Sequence, residues 1–201
     1  ETSGSDENNS NIVFESITAT NHDVDDFNVL AIAFDSGGNA YITGKFAGAM
    51  TFGPHTLATL DQGDADIYVA KMNSDGNWIW AVSAGKQGNT PSGVTDDLGS
   101  DIVVDYSGDI IITGYFAGSA TFGNISISGS SSFDIFVAKM NSDGEWQWVA
   151  KAGSSVYDVS SSIDTDSSGN SYITGHIGDS LFIAKLNTTG SWKWEVTSSG
   201  G

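Results

Sequence analysis

Three short turns carry the residues best suited to chemistry. Asp35 and Asn39, Asp105 and Asp109, and Asp166 and Asn170 occupy matching places in D-x-x-G-N/D stretches. They offer carboxylate and amide oxygens, the ligands that hard cations such as Ca2+ prefer. The spacing is not that of a twelve-residue EF-hand loop, and no terminal Glu closes it. Asp and Asn also close hairpin turns by accepting backbone hydrogen bonds. These six residues are candidate Ca2+ ligands, with the hydrogen-bonded turn as the favoured reading; no other cofactor is expected.

Lys71, Lys139 and Lys185 recur at one place and account for three of only seven lysines. A structural lysine recurs with its repeat, whereas a catalytic one has no reason to. An ion pair that fixes the repeat is expected, with Asp66 or Asp134 as partner; such a pair contributes more to register than to net stability. The tryptophan pairs 78/80, 146/148 and 192/194 have flat faces suited to stacking on sugars. At fixed repeat positions, large aromatics are more readily explained as core.

Little else resembles an active site. His22, His55 and His176 stand alone, and no H-E-x-x-H, G-x-S-x-G or phosphate-binding loop occurs. Of the acids, Glu15 and Glu195 stand apart from the repeat, with nothing to mark them as a glycosidase pair. No catalytic residue is expected and the chain is read as not an enzyme. Glycosylation sequons lie at Asn8, Asn124 and Asn187.

The elements that position these residues repeat three times. DSGGNAYITG (35–44), DYSGDIIITG (105–114) and DSSGNSYITG (166–175) align. Each is followed by a second block: DIYVAKMNSDGNWIW, DIFVAKMNSDGEWQW and SLFIAKLNTTGSWKW. Every unit predicts four strands: an apolar run before the Asp, the Y-I-T-G run, the V-A-K-M run and the W-x-W run. Strand three is apolar on both faces and predicts a position between packed layers. In strand four, Ile79, Gln147 and Lys193 occupy one place between tryptophans, so that face meets water. Such a gradient suits four-stranded blades stacked face to face around an axis.

Two units carry an insert, KFAGAMTFG and YFAGSATFG, which predicts an extended hairpin; the third lacks it. At the N-terminus, NIVFESITA (11–19) matches strand four, with Ile12 and Phe14 in place of tryptophan. The expected division is a tail and lone strand at 1–20, then blades at 21–85, 86–153 and a shortened one at 154–201. The fold class is all-β: propeller-type blades of four antiparallel strands, three in this chain. Three fall short of the roughly 4–8 that close a ring, so a partial or oligomer-completed propeller is expected.

Charge narrows the partners. The net charge is −18 with no Arg, which excludes phosphate-backbone binding and attraction to anionic membranes. No apolar run approaches the roughly 20 residues of a membrane span. Cysteine is absent, so thiolate metal sites and disulfides are excluded.

The order D-x-S-G-N-x-Y-I-T-G, F-A-G-x-x-T-F-G, D-I-F-V-A-K-M-N-S-D-G-x-W-x-W resembles the seven-bladed β-propeller (SBBP) repeat family over residues 11–201. The resemblance implies a propeller module of exported bacterial or archaeal proteins, with no general activity and no catalytic residues to carry over. The expected function is a non-catalytic, secreted or cell-surface structural and interaction module, or a self-assembling surface filament; the alternative is a glycan-binding adhesin. Expected partners are further copies or neighbouring surface proteins, and glycans; nucleic acid and membrane insertion are not expected.

Overall fold

A computed structural model describes residues 17–19, 27–59, 64–86 and 96–198. All regular elements among them are strands. Blade 1 consists of β2 (Phe27–Phe34), β3 (Ala40–Ala47), β6 (Ala65–Met72) and β7 (Trp78–Ala84), paired in that order. A hairpin of β4 (Ala49–Phe52) and β5 (His55–Ala58) projects between β3 and β6, and β1 (Ile17–Ala19) adds to it. Blade 2 runs β8 (Leu98–Val104), β9 (Ile110–Phe122), β10 (Ile125–Met140) and β11 (Trp146–Ala152). Blade 3 runs β12 (Asp158–Thr165), β13 (Ser171–Ile177), β14 (Ser180–Leu186) and β15 (Trp192–Thr197). All pairings are antiparallel. These sheets are the predicted blades. In blade 2 the predicted insert hairpin is a continuation of β9 and β10 rather than a separate pair.

The sequence repeats because the backbone geometry repeats. In blade 1, Asp35 Oδ1 accepts the amides of Gly37 and Asn39, and Gly38 turns the chain with φ +77°. Asn73 does the same in the next turn, with Gly76 at φ +85°. Glycine is required there because other residues are strained at such φ. The Gly of Y-I-T-G has a different cause. The first strand bulges between Val29 and Ala31, which brings the Asn28 carbonyl against Gly44, where a β-carbon would collide. Gly114 and Gly175 meet Leu98 and Val159 in the same way.

Stacking of the blades makes the core. Ile67 and Val69 of blade 1 bury against Ile110, Ile112, Phe136 and Ala138 of blade 2. Ile135 and Val137 then bury against Ile173, Phe182 and Ala184 of blade 3. A third cluster lies between blade 1 and its own hairpin, around Phe46, Phe52, Tyr68 and Trp78. Strands β6 and β10 are buried on both faces where they form the predicted third strand, and Ile79, Gln147 and Lys193 are all exposed.

The lone N-terminal strand has a definite place. Of residues 11–19, the part before Ile17 lies outside the described residues. Thr18 pairs with Thr51 on the blade 1 hairpin. Gly85, at the end of blade 1's fourth strand, pairs with Thr121 on the matching part of blade 2. β1 thus meets blade 1 much as a preceding blade's fourth strand would.

Candidate functional site

Each D-x-x-G turn brings its two predicted ligands together, but the oxygens are already engaged. In blade 1, Asp35 accepts the Asn39 side chain at 2.7 Å and the Tyr41 hydroxyl at 3.0 Å. Burial pushes its pKa up, yet these bonds outweigh burial and hold it below the usual carboxylate value. Blade 3 repeats the arrangement: Asp166 accepts Asn170, Tyr172 and two backbone amides. The Asn170 side chain is the main cause of its lowered pKa.

Blade 2 solves the same problem differently. Ile111 stands where Tyr41 and Tyr172 stand, and Asp109 replaces Asn39 and Asn170. Two donors are therefore lost and a second negative charge gained. Lys139 fills the gap, 2.7 Å from Asp105 and 2.9 Å from Asp109, with its side chain only 8% exposed. Burial lowers the lysine pKa, but the two carboxylates reverse this and raise it. An ammonium thus lies between the two carboxylates proposed as metal ligands. Among the described residues, no three His, Cys, Asp or Glu side chains converge in a metal-holding group.

Lys139 and Lys185 pair with these turns, which differs from the partners expected from sequence. Asp134 instead accepts the Ser130 amide and hydroxyl. Lys185 lies 2.7 Å from the Tyr172 hydroxyl and 3.4 Å from Asp166. Lys71 donates to the Ser142 carbonyl and lies over the Tyr41 ring. The turn residue four places after the Asp, Asp109 in blade 2 and Asn39 or Asn170 in the others, sets how many carboxylates the turn presents.

The two tryptophans of each pair do different jobs. Trp78, Trp146 and Trp192 pack on Phe52, Phe122 and Phe182 of their own blades. Trp80 and Trp148 reach the following blade: their indole N–H groups donate to the carbonyls of Ser142 and Thr188, both at 3.1 Å. Trp194 is the third of this series and is 42% exposed.

Sequence reasoning missed a row of buried aspartates between blades. Asp66 and Asp97 are buried where blades 1 and 2 meet, and Asp134 and Asp158 where blades 2 and 3 meet. Asp97 accepts the Ala117 amide and Asp158 that of Gly178, so each ties a first strand to its neighbour. Burial, with the charge of Asp66 adding to it, raises the Asp97 pKa well above its usual value. The only available signal was the recurrence of Asp before I-Y-V-A and I-F-V-A.

The remaining candidates do not assemble. His55 lies on β5 and His176 on β13; His22, Glu15 and Asn8 lie outside the described residues. Glu195 is exposed on β15. Asn124 lies in the turn between β9 and β10, and Asn187 caps its turn by accepting the amides of Thr189 and Ser191.

Among the described residues, large apolar side chains are exposed at the two ends of the stack. On blade 1, Val29, Ile32 and Phe34 face outward; on blade 3, Leu181, Ile183 and Val196 do. Beside the latter lies an apolar recess of about 390 Å³ lined by Thr174, Phe182 and Ser198 among others.

No curated protein matches the chain. A crystal structure of a protein of unknown function from Bacteroides caccae matches with a TM-score of 0.47 at 10% identity, over 87% of this chain and 47% of that one. The chain therefore spans about half the length of that protein. Residues 147–183 match the SBBP family, described as a β-propeller repeat. That stretch covers the end of blade 2 and most of blade 3, and the other units repeat its sequence pattern.

Proposed function

We propose that the chain is a non-catalytic structural and interaction module, displayed outside the cell, which works by joining its open blade faces to neighbours. One observation carries this reading: large apolar side chains that are buried inside the stack are bare at both ends of it. Contiguous exposed apolar surface marks interaction sites. The repeated polar residues, by contrast, are engaged in turns and joints, which among the described residues leaves no nucleophile–base pair to build a reaction on. Light scattering with negative-stain imaging tests the proposal. Concentration-dependent assemblies are expected, and a strict monomer at every concentration would count against self-association.

A second reading, glycan binding, also has an observation behind it. Tyr106 is 91% exposed at a turn position held by Ser36 and Ser167 in the other blades. It borders a cleft of about 450 Å³ with Phe34, Asp35 and Asp105. An exposed aromatic without a packing role, near polar groups, suits the apolar face of a sugar. A glycan array with wild type and Tyr106→Ala tests it; equal signals would remove the cleft as a site.

A further inference from the structure

Resting on the self-association reading above, we propose that the open face of blade 3 receives blade 1 of a second copy, head to tail, in the register of the joints within the chain. Two internal joints show what each face must supply, and the ends carry the unmatched halves.

The first match is at the fourth strand. Trp80 lies over Gly144 and donates to the Ser142 carbonyl; Trp148 lies over Gly190 and donates to that of Thr188. Next in the donor series is Trp194, whose indole N–H has no acceptor among the described residues. First in the acceptor series are Ser74 and Gly76, and among the described residues nothing lies within 4 Å of where a Gly76 β-carbon would be. Trp194 of one copy fits Ser74 and Gly76 of the next.

A second match lies nearer the axis. Thr43 is pressed against Gly99, and Thr113 donates to the Ser160 hydroxyl at 2.8 Å. The pairing registers make Thr174 the next threonine and Val29 the first counterpart of Gly99 and Ser160. Both are exposed.

The apolar series agree. Val69 and Val137 are fully buried, while Ile183 is 41% exposed. Ile102 and Ile163 are about as deeply covered, at 4% and 5%, while Ile32 is 55% exposed. Outer-face residues Tyr68 and Ala70 are already buried in blade 1's own cluster, and β1 already holds Thr51, the counterpart of Thr121. The joint therefore runs along the inner strands and the N-S-D-G turn and omits the Gly85–Thr121 type of contact. Two copies joined this way at both ends would stack six blades, within the roughly 4–8 of closed propellers. The contact is heterologous, which closes into a ring or extends into a filament.

Cysteine pairing tests the register, since the chain has no cysteine. Val29→Cys and Thr174→Cys proteins are mixed and oxidised, with the double variant Thr113→Cys/Ser160→Cys as an internal positive control. Disulfides need β-carbons within about 3.5–4.5 Å. The expected result is a mixed Val29→Cys–Thr174→Cys dimer in large excess over either homodimer. Trp194→Ala is expected to weaken association at least tenfold by light scattering, while circular dichroism stays as in wild type. Assembly without the mixed disulfide, or assembly indifferent to Trp194→Ala, overturns the head-to-tail register and leaves self-association standing. A monomer at all concentrations overturns both.

Discussion

Gly144 lies directly beneath the indole of Trp80: a β-carbon on it would be 3.2 Å from ring atom Cδ2. Gly190 lies still closer under Trp148, at 2.6 Å from Cε3, while Gly76 has nothing above it among the described residues. All three adopt φ between +76° and +85°. An alanine at any of them takes on the left-handed strain of about 1–2 kcal/mol. Only two would also push a blade away from its neighbour. Urea denaturation of Gly76→Ala, Gly144→Ala and Gly190→Ala should therefore rank their costs in that order, with Gly76→Ala near the backbone strain alone. Equal costs would mean that the joint yields without penalty.

How much of this was visible in the sequence follows from what repeats. The strands, their order and the wet face of strand four were legible because period and turn residues act locally. The pairing of Asp35 with Asn39 was legible for the same reason. The partner of Lys139 was not. It depends on Ile111 replacing a tyrosine, which matters only once β9 and β10 are paired and the lysine is brought beside Asp105. The division of labour between Trp78 and Trp80 was hidden too: a bulge shifts the register between Lys71 and Met72, so the two indoles join different clusters despite their i, i+2 spacing.

Lys139 should be the costliest lysine to remove. Lys139→Met would leave buried Asp105 and half-buried Asp109 together without their counter-ion. Breaking a buried pair on one side costs about 3–5 kcal/mol. Lys185 is more exposed, and its loss should cost much less. Adding Asp109→Asn to Lys139→Met restores the blade 1 pattern of one carboxylate and one amide, and should recover part of the loss. Chemical denaturation of the three variants checks this; a Lys139→Met protein as stable as wild type would show that the carboxylates are relieved by water.

Asp97 makes a prediction of the opposite sign. Its pKa is raised in the fold by burial, helped by Asp66, so the native state holds this proton more tightly than the unfolded chain. Its contribution to stability therefore falls as pH rises from about 4 toward the folded value. Asp97→Asn keeps an oxygen for the Ala117 amide and removes the charge. Thermal melts should show the variant more stable than wild type at pH 7, with the gap closing near pH 3. A less stable variant at pH 7 would mean that the ionised carboxylate is matched by a cation, for which Lys86 is the nearest source.

The acidic turns pull against that trend. Asp166 and Asp35 have lowered pKa values in the fold, Asp166 chiefly through the Asn170 side chain and Asp35 through bonds that overcome burial. A depressed carboxylate contributes stability that is complete above its unfolded pKa of about 4 and is lost as pH falls through the folded value. Asn170→Ala removes the main cause at Asp166. Its cost should thus be clear at pH 7 and shrink in acid, the reverse of the profile of Asp97→Asn. Melting both variants across the same pH series separates turn carboxylates, which want their charge, from the joint carboxylate, which does not. Parallel profiles for the two would show that global charge repulsion, rather than these local contacts, governs acid stability.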